Sequence, residues 1–444
     1  MKGSIFIFFK KVCPVAIIFS LIVPFSCWAG YDYIDITTPS LRKIPMAIPL
    51  FKTMSGNKKE VKLSQSASEL LAETLDFTGY FKMLESDTFL EDLQKTGIVA
   101  SKINFNNWRG IGTELLITGS VLAAGDKVEM ELRLYDSFKE RLLVGKRYTT
   151  SDKGSPRKII RRFCSEVIYS LTGSRGIFDS KIAFVSTGSG NKEIYICDFD
   201  GHNSRQETHN KEISFFPAWS SDGKWLAYTA YKKGKMGLYI KHLKGKQGVV
   251  VAKKGINISP AWVPGKFELA ATLSFSGDQK IYLLTGRGKI IKRLTDKWGI
   301  DCSPSFSPDG KKMAFVSDRS GTPQIYIKDF DSERVDRLTF HGKYNTEPSW
   351  SPRGDKIVYS AIENGEINIC VVGFDGRESI PLTRHTGYNE SPSWSPDGSL
   401  IAFTSTRDGL YKIYVMTVYG TDQRRLLVLP GNQTNPKWSP NVIN

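Results

Sequence analysis

Residues that carry chemistry are scarce in this sequence, which has five histidines and six cysteines among 444 residues. The histidines form no His-Glu-x-x-His pair and no other ligand pair at metal-binding spacing. The chain lacks a Gly-x-Ser-x-Gly nucleophile motif, and the stretch TGSGNKE at 187–193 lacks the Gly-Lys-Ser/Thr ending of a phosphate-binding loop. The aspartates of the SPDG stretches are interpreted as turn residues rather than calcium ligands. We therefore expect no catalysis, no metal and no cofactor.

Cysteine is sparse beyond the first 29 residues, where four remain. An oxidising compartment would permit disulfides. However, Cys197 and Cys370 occupy the same strand position in two distant copies of the repeat described below, so they should not pair. Cys164 falls in a predicted helix and Cys302 in a predicted loop. We expect free thiols, mostly buried.

The first 29 residues differ from the rest of the chain. They combine three lysines, an apolar stretch and a small-residue ending at Ala29, which predicts a secretory signal peptide over 1–29 with cleavage near Ala29. A retained membrane anchor is the alternative, although the proline-interrupted apolar stretch is shorter than the ~20 residues that a span needs.

Acidic residues are outnumbered, with 45 Asp and Glu against 61 Lys and Arg and a formal net charge of +16. Without the leader, residues 30–176 carry a net +4 and residues 177–444 a net +9. We interpret this excess as spread along the chain, favouring acidic partners or anionic surfaces without specifying one. Because an exported protein rarely meets nucleic acid, we expect no nucleic-acid partner.

A repeat of about 44 residues fills the C-terminal part of the chain. Each copy opens with a proline, a variable residue and an aromatic residue, and a turn such as SPDG follows. Three further β-branched and aromatic runs then complete four short strands per copy. The period is that of a four-stranded propeller blade. The repeat prolines are Pro217, Pro260, Pro304, Pro348, Pro392 and Pro436.

The two ends of the repeat array complete one another. KIAFVS at 181–186 begins a copy that lacks its own Pro-x-Trp strand, whereas NPKWSP at 435–440 is a Pro-x-Trp strand with no copy after it. We predict an all-β six-bladed propeller over 177–444, in which the C-terminal strand closes the ring onto the first blade. Closure removes the unpaired strand edges of an open array.

Residues 30–173 show no trace of this period and predict a small α/β domain. The segment 44–51 is a predicted strand, while 64–79 and 155–173 are predicted amphipathic helices. The second helix carries a basic face, which is either solvated or a site for an acidic partner. This face consists of Arg157, Lys158, Arg161 and Arg162.

A polar residue stands three positions before each repeat proline, in a loop that leads into the innermost strand. These residues are Ser214, Asn257, Asp301, Asn345, Asn389 and Gln433. They either cap their loops or form a binding surface around one mouth of the channel. Nearby tyrosines and histidines, in register 44 residues apart, favour protein–protein contact. The candidate partner-binding residues are Asn257, Asp301, His341, Tyr344, Asn345, His385, Tyr388 and Asn389.

The repeat, LTxxxGxNxxPxWSPDGxxIAFxSxRxGxxxIYVMDxDGxxxRLT, is matched most fully by 382–427 and 294–339. With the leader, the α/β domain and six blades in this order, the chain resembles the TolB family of the Tol-Pal envelope system. Two copies depart from the pattern: PAWVPGKFEL lacks SPDG, and Phe306 replaces the repeat tryptophan.

The resemblance implies an anticodon-binding-like α/β domain and a six-bladed propeller in a monomeric, non-catalytic periplasmic protein that is peripheral to membranes rather than inserted. It further implies that the propeller loops bind the peptidoglycan-associated lipoprotein, Pal, with other envelope proteins as further partners. The mature N-terminal segment would bind TolA. The system would support outer-membrane integrity and constriction at cell division.

The implied TolA-binding segment has the alternating character of an extended strand. Such a segment suits strand addition to a partner's sheet edge, and the alternative is a first strand folded onto its own domain. Its residues are Tyr33, Ile34, Asp35, Ile36 and Thr37. The functional alternative is a secreted propeller that binds another protein or a carbohydrate ligand. Hydrolase or lyase activity would require channel-lining groups without a recognisable motif.

Overall fold

The structure is a computed structural model. It describes residues 42–125, 127–151, 156–245, 247–374, 376 and 379–441. The predicted signal peptide and the predicted TolA-binding segment, from Tyr33 to Thr37, lie outside the described residues.

The N-terminal part is the predicted α/β domain, built on one mixed sheet. The sheet order is β3-β1-β4-β5-β6, with β2 also pairing with β4. Strand β1 runs parallel to β3 and β4, and the remaining pairs of the path are antiparallel. The elements are β1 (Ile44–Ala47), β2 (Lys52–Thr53), α1 (Lys58–Asp76), β3 (Phe81–Met83), α2 (Leu93–Thr96), α3 (Phe105–Gly110), β4 (Leu115–Ala124), β5 (Lys127–Asp136), β6 (Arg141–Ser151) and α4 (Pro156–Thr172).

The predicted bounds are closer to the structure for one long helix than for the other. Helix α4 matches the prediction closely, but α1 begins at Lys58 rather than at 64. The reason is an N-cap: the side chain of Asn57 accepts a hydrogen bond from the Glu60 backbone N–H at 2.9 Å, which favours helix start at this point. The polar run after Asn57 hides this start from a reading based on apolar periodicity.

The C-terminal part is the predicted six-bladed propeller, and each of its six described sheets has four strands. From the innermost strand outwards, blade 1 is β30 (Gln433–Trp438), β7 (Lys181–Ser186), β8 (Glu193–Asp198) and β9 (Arg205–Gln206); blade 2 is β10 (Ser214–Trp219), β11 (Trp225–Lys232), β12 (Lys235–His242) and β13 (Gln247–Val251); and blade 3 is β14 (Asn257–Trp262), β15 (Glu268–Leu273), β16 (Lys280–Thr285) and β17 (Ile290–Arg293). Blade 4 is β18 (Asp301–Phe306), β19 (Lys312–Ser317), β20 (Gln324–Asp329) and β21 (Val335–Arg337); blade 5 is β22 (Tyr344–Trp350), β23 (Lys356–Glu363), β24 (Glu366–Gly373) and β25 (Ser379–Pro381); and blade 6 is β26 (Asn389–Trp394), β27 (Leu400–Asp408), β28 (Leu410–Thr417) and β29 (Arg424–Arg425).

The ring closes as the sequence predicts. Strand β30 pairs antiparallel with β7, and the register places Trp438 opposite Ile182 and Gln433 opposite Ser186. Blade 1 therefore takes its innermost strand from the far end of the chain. This pairing satisfies the backbone groups of an edge that would otherwise be open.

Each innermost strand is bulged at its repeat proline. The residue before the proline has a left-handed backbone, for example Phe216 at φ 51° and Glu347 at φ 53°. The register with the second strand shifts at the same place, as between Phe215 and Ala218. Because proline has no N–H to donate to a ladder, the bulge accommodates it within a paired strand.

Three of the repeat tryptophans, Trp219, Trp262 and Trp394, donate an indole hydrogen bond to the preceding blade of the ring. The indole Nε1 of Trp219 donates to Lys437 O at 2.9 Å, and that of Trp262 donates to Ala218 O at 3.2 Å. In blade 4, Phe306 cannot make this bond and instead stacks on Phe330, with 6.1 Å between ring centres. A hydrogen bond of this kind is worth about 1 kcal/mol, so the departure at Phe306 leaves the fold intact.

The N-terminal domain docks on blade 1 through the basic face of α4. Arg161 Nη1 lies 3.1 Å from Asp198 Oδ2, its Nε donates to Phe178 O at 2.7 Å, and Arg157 pairs with Asp200. This part of the helix face is therefore neither solvated nor free for another protein, because its acidic partner is blade 1.

A second contact joins the N-terminal domain to blade 6. Lys43 Nζ lies 2.8 Å from Asp422 Oδ2, and the guanidinium of Arg424 lies 4.3 Å from the centre of the Phe77 ring. The Thr417 side chain packs against Gly79, where φ is 77° and a Cβ would stand 2.9 Å from Thr417 Cγ2. Only glycine suits both requirements. One buried apolar cluster contains residues of both the N-terminal domain and the propeller. The domain boundaries proposed from the sequence, at residues 173 and 177, remain a prediction.

None of the helices among the described residues is long and apolar enough to cross a membrane. The cysteines of the described chain are free, and Cys302 lies in β18 rather than in a loop.

Candidate partner-binding face of the propeller

Antiparallel strands divide the propeller loops between two faces. The first strand of each blade starts on one face, and the second and third strands are joined on that same face. We call it the mouth face; it also carries the loops that connect successive blades. The opposite face carries the turns between the first and second strands and between the third and fourth. The contacts with the N-terminal domain described above lie on the opposite face, around Asp198, Asp200 and Asp422.

The six polar residues predicted to surround the mouth are fully buried. Their relative exposure is 0% at Ser214, Asn257, Asp301, Asn345, Asn389 and Gln433. The expectation that Asn257, Asp301, Asn345 and Asn389 offer their own side chains to a partner is therefore corrected. These residues shape the loops that a partner would meet.

The three asparagines of this ring bond to loop backbone. Asn257 Nδ2 donates to Lys253 O at 2.8 Å and to Met236 O at 3.0 Å. Asn345 Nδ2 donates to His341 O at 2.7 Å, and Asn389 Nδ2 donates to Gly387 O at 2.9 Å. Buried amides that satisfy loop carbonyls fix the conformation of those loops.

In blade 4 the same position carries charge. Asp301 is ion-paired with Lys280 Nζ at 3.1 Å and with Arg319 Nη2 at 2.8 Å. Lys280 is itself buried and also donates to the carbonyls of Lys297 and Gly299. This buried group of three charges ties the blade 4 loop to blade 3.

A periodic signal for these pairings exists in the sequence. The position 21 residues before each ring residue lies at or near the start of the third strand of the preceding blade, and several of these residues bond to the ring residue or to its loop. Asn345 Nδ2 donates to Gln324 Oε1 at 2.7 Å, while Lys412 Nζ and Gln433 Nε2 both donate to Gly431 O. The six positions are Glu193, Met236, Lys280, Gln324, Asn368 and Lys412.

The loops expose apolar side chains directly before several of the buried ring residues. The exposed fraction is 46% at Ile213, 40% at Ile300, 45% at Tyr344 and 47% at Tyr388, and Trp298 beside Ile300 reaches 69%. We call these five residues the mouth collar. Sequence reasoning named the two tyrosines and missed the other three. The signal was available, because four of the five stand four positions before a repeat proline.

The two candidate histidines are exposed on the same face. The His341 carbonyl accepts the Asn345 bond, while its ring reaches solvent. His385 has a positive φ of 53°, and its Nδ1 lies 2.9 Å from Glu366 Oε1. Both therefore border the mouth collar.

Two carboxyl groups that the sequence analysis did not single out lie on the innermost strands of blades 5 and 6. Glu347 accepts from Ser391 N at 2.7 Å and from Ser360 Oγ at 3.0 Å. Burial, and then the charge of Glu347, raise the pKa of Glu390 to about 7. Within the described chain, no group of three or more His, Cys, Asp or Glu residues could hold a metal ion.

Comparison with known proteins shows the family. The model described as the TolB beta propeller domain matches residues 169–442, and the model described as the TolB amino-terminal domain matches residues 32–143.

The similar relatives carry corresponding names. The chain is 57% identical over 279 residues to a Tol-Pal system protein TolB from Desulfosudis oleivorans, a match covering 62% of this chain and 63% of that protein. It is 44% identical over 277 residues to a Protein TolB homolog from Chlorobaculum tepidum, covering 62% of each. The matches thus span a little under two thirds of these relatives. The crystal structure of TolB from Acinetobacter baumannii superposes with a TM-score of 0.79 at 26% identity, covering 90% of this chain and 97% of that one. The predicted resemblance is confirmed, and this chain belongs to the TolB family.

Proposed function

We propose that this chain is a non-enzymatic binding component of the Tol-Pal system in the periplasm. In this proposal, the mouth face of the propeller binds the peptidoglycan-associated lipoprotein, Pal, and the N-terminal segment binds TolA. Joining the two would support outer-membrane integrity and constriction at cell division. The relatives named as Tol-Pal system proteins support the choice of system.

The mouth collar is the observation that carries the proposal. Its tyrosines and Trp298 belong to the residue types enriched in protein–protein hot spots. They stand on loops whose conformation the buried polar ring fixes, so little entropy is lost when a partner orders them. Exposed apolar residues grouped on one face of a soluble protein indicate a contact surface.

The TolA contact rests on the sequence of the N-terminal segment. Tyr33, Ile34, Asp35, Ile36 and Thr37 alternate as an extended strand does, and an added strand needs mainly backbone hydrogen bonds and alternate side-chain pockets.

The test captures partners from the same organism. Residues 30–444 are immobilised, incubated with detergent-solubilised envelope, and the retained proteins are identified by mass spectrometry. We expect Pal in the eluate, together with a TolA-like protein that is lost when residues 30–40 are removed. An eluate without either protein would contradict the proposal and favour a propeller that binds another protein or a carbohydrate.

Collar variants then locate the Pal contact. We expect Tyr344→Ala with Tyr388→Ala to weaken binding to purified Pal at least tenfold, since truncating a hot-spot residue costs about 2 kcal/mol or more. Ile291→Ala with Ile380→Ala is the matched control, because these residues are equally exposed but lie on the outermost strands of blades 3 and 5. Equal effects of the two pairs would rule out the mouth collar as the contact.

A further inference from the structure

The positive charge of the propeller is concentrated in two blades. Residues 207–293, which contain blades 2 and 3, carry 16 Lys and Arg against 5 Asp and Glu. Residues 294–425, which contain blades 4 to 6, carry 16 against 18. The expectation that the excess is spread along the chain is therefore wrong. Two of the six blades are strongly basic, and blades 4 to 6 are close to neutral.

On the mouth face, this charge forms a patch of six lysines. They lie just before the innermost strands of blades 2 and 3 and in the hairpin between β11 and β12, and five are exposed while Lys232 is half-buried. None of their ammonium groups lies within 4.0 Å of a carboxylate of another described residue. We call them the basic patch: Lys211, Lys232, Lys233, Lys235, Lys253 and Lys254.

Two of these lysines rest against aromatic rings. Lys232 Nζ lies 4.2 Å from the centre of the Tyr239 ring, and Lys253 Nζ lies 5.6 Å from that of Phe275. Such contacts hold a cation in place without neutralising it. The six lysines outnumber the acids of the mouth loops of the same two blades, Glu212 and Asp278. Glu212 has one carboxylate oxygen buried without a hydrogen bond and the other bonded to the Lys233 backbone N–H.

The basic patch adjoins apolar side chains. Tyr231 is 41% exposed and Phe275 39% exposed in the same loops, and Ile213 of the mouth collar follows Lys211 by two residues. Exposed lysines around such aromatic residues form a positively charged rim, which attracts and orients a partner of opposite charge. We propose that the basic patch binds an acidic patch on the protein that occupies the mouth face. This rests on the proposed function and specifies the charge of the partner.

The opposite side of the mouth lacks this excess of positive charge. The mouth loops of blades 5 and 6 carry Glu363, Glu366 and Asp408, but they also carry Lys343, Arg384 and Arg407. A partner with an acidic patch therefore gains electrostatic attraction only when that patch faces blades 2 and 3, which favours one orientation of docking.

The test reverses four charges on each face of the same two blades. The mouth variant is Lys233→Glu, Lys235→Glu, Lys253→Glu and Lys254→Glu. The control is Lys224→Glu, Lys244→Glu, Lys266→Glu and Lys289→Glu, four exposed lysines in turns of the opposite face with the same total change in charge. Association of each full mature chain with purified Pal is measured by surface plasmon resonance at 50 and 200 mM salt. We expect the mouth variant to lower the association rate at least tenfold at low salt and the control less than threefold.

Several results would overturn the inference. Equal losses from both variants would mean that the association rate depends on net charge and not on the basic patch. An association rate of the mouth variant within twofold of the parent would mean that the basic patch does not contribute to binding. If the parent chain does not bind Pal at all, the proposed function fails, and the basic patch is tested separately with a benzophenone amino acid replacing Lys235 in intact cells. A crosslinked protein segment rich in Asp and Glu supports the inference, whereas crosslinks confined to lipid, to glycan or to non-acidic segments overturn it.

Discussion

The two faces of the propeller are made by the same repeat, yet the chain uses them in opposite ways. On the opposite face, charged side chains at blades 1 and 6 pair with the N-terminal domain, as Asp198 does with Arg161. On the mouth face, polar side chains turn inward and bond to their own loops, and apolar ones turn outward. The opposite face is thus held by the N-terminal domain, whereas the mouth loops are held by hydrogen bonds within the propeller itself.

The difference shows that the charged and polar groups of one repeat can either bind a neighbouring domain or hold the repeat's own loops. A buried carboxylate is tolerated when it has partners, and both faces meet this condition. The mouth face leaves the five apolar groups of the mouth collar uncovered beside its fixed loops, whereas on the opposite face Phe267 and Phe374 are exposed in separate blades. A partner would therefore gain most from contact with the mouth face. The comparison can be tested by disturbing each face in turn.

The largest effect is expected from Asp301→Ala on the mouth face. The substitution leaves Lys280 buried with a side-chain exposure of 3% and no carboxylate partner. Breaking a buried ion pair on one side costs roughly 3–5 kcal/mol. Urea unfolding should show a loss of this size, and Asn345→Ala at the same repeat position, where the ring residue is uncharged, should lose only about 1–2 kcal/mol. Equal losses would mean that the charge of Asp301 is irrelevant.

The next effect is expected from Asp198→Ala on the opposite face. This carboxylate holds Lys181 Nζ at 2.8 Å as well as Arg161, so its loss should cost about 2–3 kcal/mol. Hydrogen exchange should accelerate in α4 and leave the mouth loops unchanged. If the mouth loops loosened as much as α4, the two faces would not be independent.

The same variant has an expected pH dependence. Burial opposes ionisation of Asp198, but hydrogen bonds from Lys181 and Asn203 outweigh it and hold its pKa below the ordinary value. A lowered pKa stabilises the fold at pH values above the ordinary Asp pKa, and this contribution is lost as the pH falls through the lowered value. The stability difference between parent and variant should therefore be full at pH 7 and shrink in acid.

A smaller effect of opposite sign is expected from Glu390→Gln near the mouth. Because the pKa of Glu390 is raised to about 7, ionisation destabilises the fold progressively as the pH rises from about 4.5 to 7. Removing the charge should raise stability at pH 8 by about 1–2 kcal/mol after allowance for solvent screening, and by little at pH 4. Thermal unfolding at the two pH values measures this, and an equal gain at both would exclude ionisation as the cause.

The smallest effect on stability is expected from the mouth collar. Tyr344→Ala and Tyr388→Ala remove side chains that are about half exposed, so each should change the free energy of unfolding by about 0.5 kcal/mol or less. Combined with the loss of Pal binding proposed above, this would separate the collar from the polar ring beneath it. A large loss of stability would instead assign the tyrosines to packing.

The period of the repeat was enough to predict the propeller, its six blades and the closing strand, because each copy forms one local four-stranded unit. Tyr344 and Tyr388 were found for the same reason, being visible at matching positions. The burial of Asn345 could not be predicted from the sequence. Whether its amide points inward depends on which carbonyls of the folded loop lie within reach. The partners of Arg157 and Arg161 stand 43 and 37 residues away, and apolar periodicity does not reveal such a distance.

The closing strand also sets an order of events during synthesis. Strands β7, β8 and β9 emerge early, but β7 lacks its inner neighbour until residues 433–438 follow, more than 240 residues later. The cluster that joins the N-terminal domain to blade 1 likewise includes Trp438 and Leu426. Blade 1 is therefore the first blade to be made and the last to be completed, and the growing chain holds an open sheet edge from residue 186 until residue 433.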